Sequence, residues 1–339
     1  MHAQNEPHRS NNWQLKNLEN YPYKLHIVRS IKISKNDYDP YIYLSYDYFY
    51  YLIKTQPDVI VCTGFSPATI QSLIYCRMFN KKYIIWNEGT AHTDQLSNGL
   101  KYRIRKMAAT NANCFVVAGI LSERYIKEQL NCDKKFFLSH NCNDTSFISK
   151  NVQNSKPQNS HIKILSIGNL IQQKGIWEIV ETFKLAKNKI KTAELNLVGD
   201  GSEKQALQHQ ISVDSIPDIN IVGSIPFVET LKYWQEAEVF LILSHSDRNP
   251  LVLTEALAAG LPIVCSKYVG SHPDFVHPGK NGYVVDPFNP DEVVDAIEKC
   301  LEGNRDGSMS RYSLKLSEHL TYDNAAKGFI DAIKYAYYG

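Results

Sequence analysis

Short apolar runs recur along the chain, and between them lie longer stretches whose apolar positions repeat at helical spacing. In the first part, "KLHIV" (24–28), "DVIVCTG" (58–64), "KYIIWNE" (82–88), "CFVVAG" (114–119) and "FFLSHN" (136–141) have the branched and aromatic content of buried strands. Helices are predicted between them, around residues 66–79 and 99–112. The polar stretch "SKNVQNSKPQNSH" (149–161) has no apolar period and predicts a linker over 151–161. The alternation then restarts with "IKILSIG" (162–168), "ELNLVG" (194–199), "INIVG" (219–223), "VFLILSH" (239–245), "PIVCS" (262–266) and "GYVVD" (282–286). Strands alternating with helices imply βαβ units, parallel sheets and right-handed crossovers. The expected fold class is therefore α/β, with two doubly wound domains (1–150 and 162–320) and a final helical segment over 321–339. Ligands of such sheets bind beyond the carboxyl ends of the strands, and a cleft lies between two of them.

One segment breaks its own pattern. "SDRNPLVLTEALAAGLPIV" (246–264) reads as a buried helix followed by a buried strand, with Asn249 as N-cap, Pro250 at the first helical position and Gly260 at the C-terminal end. Inside the apolar helix stands a carboxylate, Glu255. An unpaired charge in an apolar setting costs several kcal/mol, so Glu255 either faces a wet cleft or forms an ion pair with a lysine or arginine of the other domain.

Composition narrows the class. With 339 residues, two domains are the natural division, and 43% hydrophobic with 21% charged residues describes a globular chain. A net charge of +2 without blocks of like charge gives no footprint for nucleic acid. The seven cysteines are odd in number, scattered and free of C-x-x-C pairs, which predicts free thiols and a cytoplasmic setting. No His/Cys/carboxylate cluster has metal-ligand spacing, and "DYD" (37–39), before a proline in a Tyr-rich loop, reads as accidental. The polar N-terminus has no signal-type apolar region.

Four turns of the second part share one rim. They are "GNLIQQKG" (168–175), "GDGSE" (199–203), "GSIPF" (223–227, with Ile225) and "SHSDRNP" (244–250), each after a strand. Gly168, Gly199 and Gly201 allow close backbone approach, helix starts present free N–H groups, and Lys174 adds a cation. Together they suit a diphosphate.

From about Ile162 onward, and more loosely over 55–150, the chain resembles the retaining nucleotide-sugar glycosyltransferases of family 4, the two-Rossmann-domain GT-B type. The most specific element is the family frame E-G-x-P-L-x-x-x-E-A, which stands here as "DRNPLVLTEA", placing Asp247 and Glu255 at the two acidic positions. The resemblance implies that Glu255 accepts hydrogen bonds from a nucleotide ribose and that Asp247 faces the transferred sugar. It also implies that backbone around Asn249, Pro250, Leu251 and Val252 holds sugar and phosphate. Lys174 would neutralise the leaving diphosphate beside Gly168, Asn169, Gly199, Asp200 and Gly201, with Ile225 at the donor seat. On the acceptor side it implies Glu88, His92 and Thr93 in "NEGTAHTDQ", with His92 approaching the donor sugar. Asn141 and Asp144 in "SHNCND" match a hinge turn, and a C-terminal helix would cross back to the first domain.

The implied activity is transfer of a sugar from a nucleotide-diphosphate donor, with retention and without metal or other cofactor, to a glycan or lipid-linked acceptor of surface polysaccharide. The basic helix with Lys101, Arg103, Arg105 and Lys106 offers a peripheral contact with the inner membrane, against the simpler reading of a solvated face. Two departures stand out. Asn169 replaces the family's arginine, with Arg248 as a substitute charge unless it pairs locally with Asp247. The family's opening strand, glycine loop and helix have no counterpart, so the first domain is expected to lack its first βα unit. These departures are the support for the alternative, a non-catalytic nucleotide-sugar-binding or partner subunit of a glycosyltransferase complex.

Overall fold

The computed structural model describes residues 23–24, 26–33, 42–95, 99–152 and 161–339, so the Asp37–Asp39 triplet and linker residues 153–160 lie outside the described part. Strands β1 (Ser30–Ile33) and β2 (Ile42–Ser45) form a separate antiparallel pair. After α1 (Tyr48–Thr55) the chain alternates through β3 (Val59–Thr63), α2 (Pro67–Phe79), β4 (Lys82–Asn87), α3 (Leu100–Asn111), β5 (Cys114–Val117), α4 (Ile120–Arg124) and β6 (Phe136–Leu138). These last four strands pair in parallel, in sequence order. Strand periodicity divides their side chains between two cores. Ile60, Cys62, Tyr83, Ile85, Phe115 and Val117 meet Leu52, Leu73 and Ala108 of the helices. Ile84, Cys114 and Val116 face the other way.

The run "KLHIV" is not a buried strand. Residues 26–29 have no regular structure and Ile27 is 46% exposed. A five-residue run with three apolar positions carries no information about which strand it can pair with, and pairing begins only at Ser30.

The next helix, α5 (Thr145–Val152), buries Ile148 and Val152 in one cluster with Trp234, Leu253 and Leu257. Residues 151 and 152, expected in the linker, thus belong to a helix packed on the second domain. That domain runs β7 (Ile162–Ile167), α6 (Ile176–Lys189), β8 (Ala193–Val198), α7 (Lys204–Val213), β9 (Ile219–Gly223), α8 (Phe227–Glu236), β10 (Val239–Ile242), α9 (Leu251–Ala258), β11 (Ile263–Ser266), α10 (His272–Phe275), β12 (Gly282–Val285), α11 (Pro290–Gly303) and α12 (Ser308–Ser317). All six strands are parallel, in the order β12-β11-β10-β7-β8-β9, with apolar cores on both faces. The order reverses between β7 and β10, so their following loops diverge and open a crevice at the carboxyl ends.

The last helix, α13 (Tyr322–Tyr338), covers the open face of the first sheet. Ala332 and Ala336 are buried against Ile84, Cys114 and Val116, and Phe329 meets Trp86 edge to face at 5.3 Å. A Cβ on Gly328 would lie 2.2 Å from the Leu138 carbonyl oxygen, so the helix comes this close to β6 only because residue 328 has no side chain. The end of the chain therefore completes the core of its beginning.

Candidate functional site

Helix α9 is apolar because it is core: Leu253, Ala256, Leu257 and Ala258 are fully buried. Glu255 sits among them, partly buried. Its Oε1 accepts a hydrogen bond from Asn143 Nδ2 at 2.7 Å, and Asn143 Oδ1 accepts one from Thr254 Oγ1 at 3.1 Å. No lysine or arginine pairs with Glu255 among the described residues. The ion pair open to it from the sequence is thus replaced by one neutral amide at the crossing between domains. Burial pushes the Glu255 carboxyl up to about 7, with the Asn143 bond acting in the opposite direction. Asn143 was not among the residues singled out from the sequence, although Asn141 and Asp144 on either side were. Asn141 Nδ2 donates to Glu88 Oε1. Asp144 accepts from the Phe147 N–H at 3.1 Å and the Ser146 hydroxyl at 2.7 Å, which makes it the cap of α5.

The loop after β10 holds the second carboxylate. Asp247 forms a parallel bridge with Val269, and its Oδ2 pairs with Lys174 Nζ, which arrives from the short 3-10 turn Gln172–Lys174 after β7. Arg248 does not pair with Asp247. It reaches across to Asp94 of the first domain at 3.4 Å, where Arg105 also binds at 3.1 Å. Successive side chains of an extended, bridged segment point to opposite sides, which separates Arg248 from its neighbour. Asn249 is not the N-cap either. Pro250, extended at φ −69° and ψ 123°, occupies that position without a side-chain bond, and both amide atoms of Asn249 are buried with no partner among the described residues. Pro250 is buried, Val252 half-buried, and Leu251 exposed at the helix start.

Across the switch point, Gly168 and Asn169 are exposed at the end of β7, and a Cβ on Gly168 would meet nothing within 4 Å. Gly199 and Gly201 have another use. Their Cβ atoms would fall 1.9 Å from the Gly168 oxygen and 2.3 Å from the Leu170 oxygen, so these glycines let the first two turns pack on each other. Asp200 accepts from the Gly201 N–H at 2.9 Å and pairs with Lys204 at 2.8 Å; the Lys204 ammonium, first of its causes, holds its carboxyl below the usual range. Ile225 packs on the apolar core beneath the rim.

The facing loop of the first domain follows β4. His92 Nε2 lies 2.7 Å from the His245 carbonyl oxygen, and its ring stacks on Tyr268 at 4.4 Å. Thr93 Oγ1 accepts from the Thr90 N–H at 2.9 Å, closing the loop on itself. Two cross-domain residues escaped the sequence reading: Asp94, and Asp274, whose carboxylate accepts from the Ile120 N–H at 3.2 Å, with burial raising its pKa. Nothing local in the sequence signals their cross-domain contacts, because Arg248 and the Ile120 N–H are supplied from across the cleft. The structure thus brings Lys174, Asp247 and Asn249 into one rim with His92 over it, while Thr93, Asp200, Gly199 and Gly201 are occupied with local structure.

Two parallel α/β sheets in one chain, in contact through their facing loops, match the GT-B class of fold seen in solved glycosyltransferase structures. Residues 147–316 match the family model described as "Glycosyl transferases group 1", and the chain belongs to that family. It is 24% identical over 179 residues to the amylovoran biosynthesis glycosyltransferase AmsK of Erwinia amylovora, covering 49% of this chain and 44% of that protein. It is 31% identical over 153 residues to the alpha-monoglucosyldiacylglycerol synthase of Acholeplasma laidlawii, covering 44% of this chain and 37% of that one. The match therefore spans less than half the length of these curated relatives. Among solved structures, the lipopolysaccharide outer core galactosyltransferase WaaB in its apo form superposes with a TM-score of 0.69 at 18% identity, over 85% of this chain and 78% of that one.

Proposed function

We propose that this protein is a retaining glycosyltransferase of family 4 that moves a sugar from a nucleotide-diphosphate donor to a glycan or lipid-linked acceptor in surface polysaccharide assembly. The observation that carries the reading is Glu255: a carboxylate on a core helix, bound by one neutral amide and, among the described residues, by no cation, at the cleft end of the family frame. A ribose diol supplies the donors such a group needs. Gly168 and Asn169 leave open ground for the diphosphate, and Lys174 is the cation beside it. On arrival of the donor, Lys174 exchanges Asp247 for the phosphates, freeing Asp247 to face the sugar. Arg248 and the start of α9 lie on the same loop and add to the positive field. The protein positions the donor and stabilises the growing charge on the leaving diphosphate while the acceptor hydroxyl attacks from the same face. With these groups meeting that charge, the reading calls for no divalent cation or other cofactor.

His92, Glu88 and Thr93 mark the side from which the acceptor approaches, and resemblance to a diacylglycerol glucoside synthase supports a lipid-linked acceptor. Helix α3 exposes Leu100 (74%), Ile104 and Met107 next to Lys101 and Arg103, a face suited to the cytoplasmic surface of the inner membrane. Arg105 is not part of that face, being held by Asp94 and Tyr125. The test is turnover: the protein is incubated with a panel of nucleotide sugars and lipid or glycan acceptors, and the product's anomeric configuration is read by NMR. An α-linked product from an α-configured donor is expected. Inverted product overturns retention, and nucleotide binding without transfer to any acceptor favours a binding subunit.

A further inference from the structure

Thr254 and Glu255 are consecutive polar residues on the core helix α9, and both meet the same side chain. Asn143 Nδ2 donates to Glu255 Oε1 at 2.7 Å, and the Thr254 hydroxyl lies 3.1 Å from Asn143 Oδ1 and 2.7 Å from the Leu251 carbonyl oxygen. Thr254 is fully buried, and an ionised carboxylate can only accept. Beside an ionised Glu255 the amide therefore has one orientation, its nitrogen on the carboxylate and its oxygen on the hydroxyl. Glu255 Oε2 takes no hydrogen bond among the described residues and is not sealed from water.

The segment that carries the amide is held on both sides. Asn141 binds Glu88 of the first domain, and Asp144 caps α5, whose Ile148 and Val152 share a core cluster with Leu253 and Leu257 of α9. The Thr145 N–H also donates to the Asn143 carbonyl oxygen at 2.8 Å. Burial raises the Glu255 carboxyl, and the Asn143 bond is the influence that opposes it. The ionisable groups of the helices packed on α9 take no part: neither Lys150 on α5, nor His272 and Asp274 on α10, nor Arg311, Tyr312 and Lys315 on α12.

We propose that Asn143 is the positioning residue of the nucleotide seat: it turns Glu255 so that Oε2 is left for the ribose hydroxyls, and it stabilises the negative charge that those hydroxyls meet. Asn143 touches no substrate itself. This rests on the nucleotide reading of Glu255 and adds the residue that prepares that carboxylate.

The test compares ribonucleotides with their deoxy forms, because the ratio of the two affinities isolates the ribose contact and cancels titration of the phosphates. UDP, GDP and ADP, each beside its 2′-deoxy and 3′-deoxy forms, are titrated calorimetrically into wild type, Asn143→Ala and Thr254→Val between about pH 6 and about pH 9. In wild type the preference for ribose should rise with pH as Glu255 ionises. Without the amide the charge is harder to hold, so in Asn143→Ala the rise should move up by about one pH unit, the equivalent of one hydrogen bond. The preference should then be about fivefold lower near pH 7 and largely recovered by about pH 9. Thr254→Val frees the amide oxygen and should move the rise the same way by less. A purely structural role would lower the melting temperature and leave the rise in place. An equal loss at every pH, or a rise that stays or moves down in the variants, overturns the proposal. If Asn143→Ala does not fold, Thr254→Val decides alone. If Glu255→Gln abolishes the preference while these variants keep the wild-type profile, the role of Asn143 falls and the nucleotide seat stands. If wild type shows no preference for ribose, or binds none of these nucleotides, both fall.

Discussion

The two sheets of this molecule follow the same βα grammar and are stabilised in different ways. The second sheet has six strands, reverses its order at β7 and β10, and is covered on both faces by helices from its own stretch of chain, joined on one face by α5. The first has four described strands in plain sequence order, and one of its faces is closed by α13 from the far end of the chain. A switch point supplies a crevice at a fixed place, so the side of the cleft proposed to seat the nucleotide is largely set by local topology. The other side has no such device. Its loops are held by contacts that reach across: His92 to the His245 carbonyl, Asp94 to Arg248, and Asp274 to the Ile120 N–H.

Breaking the dependence of the first sheet on α13 should have the largest effect. Gly328→Leu forces a side chain into the Leu138 carbonyl and should destabilise the first domain by about 3 kcal/mol, at the upper end of overpacking costs. Hydrogen exchange should show lost protection in β4 and β5 with β7 and β8 unchanged. Uniform loss in both sheets would mean the domains unfold as one unit.

On the nucleotide side, Lys174→Ala should lower turnover about a hundredfold, near 2.7 kcal/mol, with a much smaller change in donor affinity. The charge on the leaving diphosphate grows in the transition state, so a cation there acts mainly on rate. Steady-state kinetics with the identified donor separates the two quantities. Arg248→Ala should do least, within about 1 kcal/mol, because its partner Asp94 keeps Arg105 and the arginine is nearly half exposed. A larger turnover loss for Arg248→Ala than for Lys174→Ala would mean that the charge missing at Asn169 has moved to the β10 loop.

The same contrast explains what could be read from the sequence. The strands of the second domain stand close to where their apolar runs place them, because each is bounded by a glycine turn or a helix start. In the first domain, α2 was legible for a similar reason: Ser66 and Thr69 form a reciprocal capping box ahead of Pro67. "KLHIV" was misread because strand character without a known neighbour is only a composition. The N-cap at Asn249 failed because Pro250 already holds the extended conformation a cap requires. The cross-domain contacts of Asn143, Asp94 and Asp274 were invisible because Glu255, Arg248 and the Ile120 N–H lie 112, 154 and 154 residues away. Sequence periodicity reports which face of an element is buried, not what it meets across a cleft.

The nucleotide seat at Glu255 is the central claim, and pH tests it most directly. Burial lifts this carboxyl from 4.5 to about 7, so between those values the native protein binds more protons than the unfolded chain. Its contribution to stability therefore falls as pH rises through that window, by roughly 3 kcal/mol in all. Glu255→Gln, which resembles the protonated form, should remove this dependence and leave the ligand-free protein more stable at pH 8 than wild type. Ribose hydroxyls donate best to the ionised carboxylate, so wild-type nucleotide affinity should rise from about pH 6 to about pH 8 and then level. In Glu255→Gln, affinity should be flat with pH and weaker at pH 8 by roughly 1–3 kcal/mol, the scale of a hydrogen bond to a charged group. Calorimetric titration of both proteins with the bound nucleotide across that range decides the matter. Equal affinity in a folded Glu255→Gln protein, or a wild-type affinity that does not change with pH, would contradict the assignment.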